Sequence, residues 1–314
     1  MKDAVTIVEE AFKEYALGHV KMPVRPTITI DDSGGIMLYM PAYVGGKINA
    51  VGVKIVSVFK NNPTKYKLPL ILGTVLLNDP DTGALLSIID GGYLTAMRTG
   101  AASGVATKYM AREDARTVGV FGAGVQAETQ LLAMAEVRKI SSAKVFDVLP
   151  GSAEKYAAKM EKALNIKVTV AKSSRENVEG SDIIIAATTS KQPVFQGEWL
   201  APGTHINGIG SHYGAGIKEV DGTAVKRARV VVDSKEACLK EAGDIIDPIK
   251  DGTIDENHIY AELGEVAAGT KKGRLTKDEV TFYKAVGLAL EDVSTAYKLY
   301  ELAKEKHVGT TISF

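Results

Sequence analysis

Cysteine is nearly absent: the 314 residues include one, Cys238. A lone cysteine excludes an intramolecular disulfide and a zinc ribbon, and it fits a reducing compartment. Net charge is missing as well, since 38 Lys and Arg balance 38 Asp and Glu. That balance argues against a protein built to coat nucleic acid. No long apolar run occurs. The longest, Leu68 to Leu77, is broken by Pro69 and Gly73, and it stays far below the roughly 20 residues of a membrane-spanning helix. The N-terminus opens Met-Lys-Asp and runs directly into an amphipathic pattern, without the apolar region or small-residue cleavage site of an export signal. A cytoplasmic location, with no membrane partner, is the expectation. His205 and His212 have no third ligand beside them in a metal-binding pattern, so no metal site is expected.

What remains has ordinary globular proportions, 45% apolar and 24% charged. A chain of this length forms one or two domains and buries a core without disulfides. Val5, Val8, Ala11, Phe12 and Tyr15 share one face of a first helix. From Pro26 to Asp90 the pattern becomes that of strands: Thr27–Ile30, Ile36–Met40, Val51–Phe59, Leu70–Leu77 and Ala84–Ile89. Turn residues separate them, including Asp31-Asp32-Ser33-Gly34-Gly35 and Asn78-Asp79-Pro80-Asp81-Thr82-Gly83, which predicts a mostly antiparallel sheet. Gly91-Gly92 reads as a further turn, followed by a helix from Met97 to Met110.

Beyond that helix, strands 117–121, 143–147, 167–170, 182–187, 204–209 and 229–233 appear, with helices 125–138 and 152–164 among them. Such alternation predicts parallel βαβ units. A last helix, about Leu288 to Lys304, carries Ala289, Val293, Ala296, Tyr297 and Tyr300 on one face. The predicted fold is α/β, a Rossmann-type doubly wound parallel sheet over 113–287 beside a β-rich domain of 1–112 to which 288–314 returns.

Gly122-Ala123-Gly124-Val125-Gln126-Ala127 follows the first of the parallel strands and opens a helix. In that context G-x-G-x-x-A is a dinucleotide cradle. The first glycine permits the turn, the second admits a pyrophosphate, and Ala127 allows close helix–strand packing. The helix N-terminus offers unpaired N–H groups to the anion. Asp147 ends the next strand, where a carboxylate accepts the adenosine ribose hydroxyls and repels a 2′-phosphate. No arginine follows in Val148-Leu149-Pro150, so NAD is predicted rather than NADP. Thr188 and Thr189 end a later strand, at the sheet edge where ligands of such folds collect.

Several stretches together resemble the ornithine cyclodeaminase/mu-crystallin family. They are Ala11-Phe12…Tyr15-Ala16…Gly18…Met22-Pro23, Met40-Pro41-Ala42, Val53-Lys54, Asn78 to Gly83, Arg98-Thr99-Gly100-Ala101-Ala102-Ser103, Gly122 to Ala127, Gly203-Thr204-His205-Ile206-Asn207-Gly208-Ile209-Gly210, and Val286-Gly287-Leu288-Ala289-Leu290-Glu291-Asp292. The resemblance implies a homodimer formed through the β-rich domain, with substrate between that domain and the nicotinamide. It places Lys54, Arg98 and Arg25 at substrate positions, and Ile209, Val286 and Gly287 beside the cofactor. Residue chemistry agrees. An arginine fork holds a carboxylate bidentately, and a desolvated lysine exchanges protons near neutrality. Thr99, beside Arg98, is expected to offer its hydroxyl and a helix-start N–H to the pyrophosphate. Glu241 and Asp244 read as cap or surface residues.

The chain departs from the cyclodeaminases where they carry an acidic base after the Asn-x-x-Gly strand. His212 stands at the nearest position, as a second acid/base or as a surface residue. Leu38 replaces an acidic residue before Met40-Pro41. The implied activity is therefore an NAD-dependent amino-acid dehydrogenase or imine reductase, alanine dehydrogenase foremost and pyrroline-2-carboxylate or ketimine reduction close behind. Ornithine cyclodeamination and a non-catalytic, mu-crystallin-like ligand-binding protein are the alternatives.

Overall fold

The computed structural model describes residues 1–23, 25–210 and 218–312. His212, the proposed second acid/base, lies outside the described residues. The chain divides into two compact units: Met1–Val5 with Thr99–Gly287, and Thr6–Arg98 with Leu288–Phe314. The division falls at 98/99, inside a helix, rather than near 112. Sequence reading looks for a boundary in a loop, and an unbroken helix hides this one.

The unit containing Thr6–Arg98 begins within α1 (Lys2–Ala16), whose Val8, Ala11 and Phe12 are fully buried. Then come β1 (Val20–Lys21), β2 (Thr27–Ile30), β3 (Gly35–Val44), β4 (Ala50–Phe59), β5 (Ile71–Asn78) and β6 (Leu85–Asp90). They form an antiparallel sheet in the order β1-β3-β4-β5-β6, with β2 also on β3. The β2–β3 turn is a short 3-10 helix, Asp31–Ser33, closed by Gly34 at φ +59°. Helix α2 (Gly91–Met110) starts six residues before its predicted Met97. Asp90 Oδ1 accepts the N–H groups of Gly92 and Tyr93 at 3.1 and 3.2 Å, which is N-capping. Gly91-Gly92 is thus the first turn of the helix and not a separate turn. Gly91 admits no side chain, because a Cβ there would strike the backbone of Gly73 and Thr74 at 2.6–2.8 Å.

The other unit holds β7 (Thr117–Phe121), α3 (Val125–Val137), β8 (Ser142–Phe146), α4 (Ser152–Leu164), β9 (Lys167–Val170), α5 (Ser174–Val178), β10 (Ile183–Ala186) and β11 (His205–Gly208). It continues with α6 (Gly222–Arg227), β12 (Ala228–Val232), α7 (Lys235–Glu241), α8 (Gly243–Lys250), β13 (Ile259–Glu262), α9 (Leu263–Ala267) and β14 (Val280–Lys284). Its eight strands run parallel in the order β13-β12-β14-β11-β10-β7-β8-β9. From β7 the chain builds outward to β8 and β9 on one side and to β10 and β11 on the other. The switch point lies between β7 and β10, where ligands of such sheets bind. Two strands were not predicted. β14 inserts between β11 and β12, and every residue of it is buried. A five-residue segment buried on both faces has no alternation to reveal it.

Arg138 shows how an ionisable group settles inside this unit. Its guanidinium donates to the carbonyls of Thr107, Lys108, Ala111 and Arg112 at 2.9–3.0 Å. It thereby ties together carbonyls in the last turn of α2 and in the two residues that follow it. Helix α10 (Ala289–Lys306) closes the chain and packs on β3, β4 and β5 of its own unit. No helix among the described residues is long and apolar enough to cross a membrane.

Candidate functional site

In the unit of the parallel sheet, the loop after β7 forms a cradle. Gly122 adopts φ +91°, and a Cβ on it would collide with the Ala187 carbonyl after β10. Gly124 caps α3 with no side-chain hydrogen bond, and a Cβ there would meet nothing within 4 Å. The helix therefore begins with open backbone N–H groups beside empty space, and Val125 is exposed there. A pyrophosphate fits such a place. Ala127 is fully buried against the sheet, and Gln126 lies in the helix's first turn.

Asp147 follows β8. Its Oδ2 accepts the Ala123 N–H and its Oδ1 the Leu149 N–H, both at 2.8 Å. Each oxygen keeps a lone pair for a ribose hydroxyl, and the carboxylate is tied directly to the cradle. Thr188 and the exposed Thr189 follow β10, and Ile209 follows β11, where its N–H bonds to Ala186 at 3.0 Å. Val286 and Gly287 follow β14, and both donate N–H to Asp233 Oδ2 at 2.7 Å. Thr99 needs correction. It stands inside α2, where its N–H belongs to the helix ladder, and its carbonyl accepts from Gln130 at 3.1 Å. No helix-start N–H is available at Thr99.

In the antiparallel-sheet unit the structure brings Lys54 and Arg98 together. Lys54 sits on the central strand β4, paired with Met40 of β3 and Val75 of β5, both buried. Alternation along β4 turns it toward the face that α10 covers. There Lys54 Nζ donates to Asp292 Oδ1 at 2.8 Å. Arg98 also lies inside α2 and not at a helix start. Its Nε donates to the same Asp292 oxygen at 2.9 Å, and its Nη1 donates to Glu291 at 2.9 Å. Its Nη2 has no protein partner among the described residues. Lys54 is 2% exposed and Arg98 5%, so neither is the solvated residue its type usually makes. Burial pushes the Lys54 ammonium down to about 8, against the pull of Asp292 and with the help of Arg98. Burial also opposes the charge on Arg98, but Asp292 and Glu291 outweigh it and hold the guanidinium above its ordinary value. Arg25 lies between β1 and β2, half-buried.

The anchors Glu291 and Asp292 were given no role by sequence reasoning. They stand in the first turn of α10, at the end of a stretch that carried the family resemblance. That adjacency was the available signal. A second buried cluster went unread. Lys284 pairs with Asp244 at 2.5 Å, and both are fully buried. Asp244 is thus neither a cap nor a surface residue. Its Oδ1 accepts the N–H groups of Glu219 and Val220 at 2.6 and 2.7 Å. Glu241, half-buried, ends α7. His205, buried in β11 beside Thr281, is pushed down to about 3 by desolvation. It stays neutral near physiological pH.

The model of the ornithine cyclodeaminase/mu-crystallin family matches residues 1–307. An alanine dehydrogenase of Archaeoglobus fulgidus is 38% identical over 100% of this chain and 94% of its own length. The solved structure of Δ1-pyrroline-2-carboxylate reductase from Thermococcus litoralis, in complex with NADH and L-proline, is 50% identical. It superposes with a TM-score of 0.94 over 99% of this chain and 96% of that one. An archaeal alanine dehydrogenase dimer with bound NAD is 37% identical, with a TM-score of 0.92 over 100% and 95% of the two chains.

Proposed function

This chain belongs to the ornithine cyclodeaminase/mu-crystallin family, and from that premise we propose that it is an NAD(H)-dependent imine reductase. Its substrate is a small cyclic imino acid, Δ1-pyrroline-2-carboxylate foremost, reduced to the L-amino acid. The observation that carries the reading is the buried Lys54–Arg98 pair on one oxygen of Asp292. A carboxylate-bearing imine needs a fixed cation for its carboxylate and a proton donor for its nitrogen, and this cluster supplies both types. The 50% identity to the pyrroline-2-carboxylate reductase puts that substrate ahead of alanine, reversing the order the sequence favoured.

When bound, a nicotinamide dinucleotide supplies the hydride, and takes it back in the reverse direction. Gly122, Ala123, Gly124, Val125 and Gln126 are assigned its pyrophosphate, and Asp147 its adenosine ribose. Thr188, Thr189, Ile209, Val286 and Gly287 are assigned the other half. Arg98, through Nη2, binds the substrate carboxylate, with Arg25 as an assisting cation. Lys54 gives its proton to the imine nitrogen. A donor with a pKa of about 8 is mostly charged at neutral pH and loses its proton readily, as a general acid requires. Asp292 holds Lys54 and Arg98 in register, so that one proton leaves without either side chain losing its place.

The protein is further proposed to act as a cytoplasmic homodimer through its antiparallel-sheet unit. Its one cysteine is a free thiol. Strand β6 is a sheet edge, and Leu70, Ile71, Leu72, Leu85 and Ile88 are exposed on β5, β6 and just before them, Ile88 at 52%. An apolar sheet edge is a surface that soluble proteins cover.

The deciding assay supplies NADH with Δ1-pyrroline-2-carboxylate and, separately, with pyruvate plus ammonium. Proline formed in step with NADH oxidation supports the reading. Turnover of pyruvate alone favours alanine dehydrogenase, the reading that the Archaeoglobus relative supports. If neither pair turns over, and a Lys54→Ala/Arg98→Ala protein binds imino acids as the parent does, a non-catalytic binding protein is the better account.

A further inference from the structure

Resting on the dinucleotide reading above, we infer that Glu219, set by Asp244 and Lys284, is a positioning residue for the nicotinamide half of the cofactor. Glu219 is fully buried. One of its oxygens accepts the N–H of Thr188, which follows β10, and the other accepts the N–H of Gly210, which follows β11, at 2.6 Å. A single carboxylate thus ties together the C-terminal ends of two adjacent parallel strands. Gly210 has no room for a Cβ because the Glu219 carboxylate lies directly against it.

The backbone of Glu219 is itself held in place. Asp244 accepts the Glu219 backbone N–H, and Lys284, at the end of β14, pairs with Asp244 while donating to the Gly210 carbonyl at 2.7 Å. Gly210 is therefore gripped at both of its backbone polar groups.

Three buried ionisable groups are a costly way to hold a sheet together, since apolar packing of similar volume serves stability as well or better. The strand ladder already fixes β10 against β11. Ala187 and Ile209 still bond to Phe121 and Ala186 across the ladder, and the cluster grips the next residue beyond each, Thr188 and Gly210. Strand order gives the reason. Asp147 follows β8 and the glycine cradle follows β7, so a dinucleotide laid across the switch point has its adenosine half over β8 and β7. Its nicotinamide half then lies over β10 and β11. The carboxylate cluster stands under that half only.

The test compares two ligands on the full chain at pH 8, above the value of about 7 to which burial pushes Glu219. NADH carries the nicotinamide, and ADP-ribose shares everything but that ring. In Glu219→Gln one of the two N–H groups loses its acceptor. NADH affinity is expected to fall about tenfold, the effect of one unsatisfied buried donor. ADP-ribose affinity should stay within about twofold of the parent's. The fluorescence enhancement of bound NADH should weaken as the ring loses its fixed setting.

Equal losses for both ligands, or none for either, overturn the assignment. A parent protein that binds neither ligand overturns the dinucleotide reading and this one with it. If Glu219→Gln does not fold by circular dichroism, Lys284→Gln enters the same titrations. It can still donate to Gly210 but drops the ion pair with Asp244, and the same selective loss is expected.

Discussion

Asp292→Asn tests the proton-donor assignment most sharply, because it removes one charge and leaves the shape of the cluster in place. Two unit charges 2.8 Å apart attract by about 6 kcal/mol at an effective dielectric of about 20. The asparagine dipole and local rearrangement recover much of this. A net loss of roughly 2 kcal/mol corresponds to about 1.5 pKa units. Lys54 would then fall from about 8 to about 6.5. At pH 7.5 the fraction carrying the donor proton drops from about three-quarters to about a tenth. The assay is kcat/KM for NADH oxidation by Δ1-pyrroline-2-carboxylate from pH 6 to 9.5. In the parent the rate declines as pH rises through about 8. In the variant the decline begins about 1.5 units lower, and proline oxidation, which uses the neutral amine, is spared at neutral pH. Losing a partner from a buried ion pair costs about 3–5 kcal/mol of stability, so circular dichroism must first show a folded variant. A folded Asp292→Asn protein whose rate still declines at the parent's pH would refute the idea that Lys54 donates the proton with its charge held by Asp292.

Further outcomes follow from the same geometry. Arg98→Lys keeps the charge but loses the fork, and KM for the imino acid should rise at least about tenfold while kcat changes less; an unchanged KM would place the carboxylate elsewhere. Asp147→Ala combined with Val148→Arg should shift the NADH/NADPH preference in kcat/KM toward NADPH; an unchanged ratio would show that the ribose assignment is wrong. Burial raises Glu219 from 4.5 to about 7 and raises Asp233 as well. The native protein therefore holds protons that the unfolded chain has released, and stability falls as pH rises through that window. Thermal melts between pH 4.5 and 7 should show a declining Tm for the parent and a shallower decline for Glu219→Gln, and equal slopes would remove Glu219 as their source.

The elements that sequence reading located are those whose pattern is local. Thr117–Phe121, Ser152–Leu164 and Lys167–Val170 occur where apolar spacing and glycine turns placed them. So does the glycine cradle, whose strand, turn and helix are contiguous. What escaped depends on partners far away in the chain. Lys54 and Asp292 stand 238 positions apart, and nothing near Lys54 marks it as buried, because lysine on a strand is ordinarily solvated. Only the family resemblance lifted it out. Asp244 was misread for the same reason: a carboxylate one residue into a helix looks like a favourable end charge, and the lysine that buries it arrives forty residues later on a strand with no alternation to announce it. Buried ion pairs are the part of this site least visible in one dimension, since each half alone resembles surface. They are also the part on which the proposed roles rest. Burial and Asp292 oppose one another at Lys54 and leave its ammonium at about 8, and Glu219 accepts the backbone N–H groups of both Thr188 and Gly210. On the proposed reading, substrate choice among related imino and amino acids rests on what surrounds Arg98 Nη2, and exchanging those surroundings should move specificity while the pH dependence assigned to Lys54 and Asp292 stays where it is.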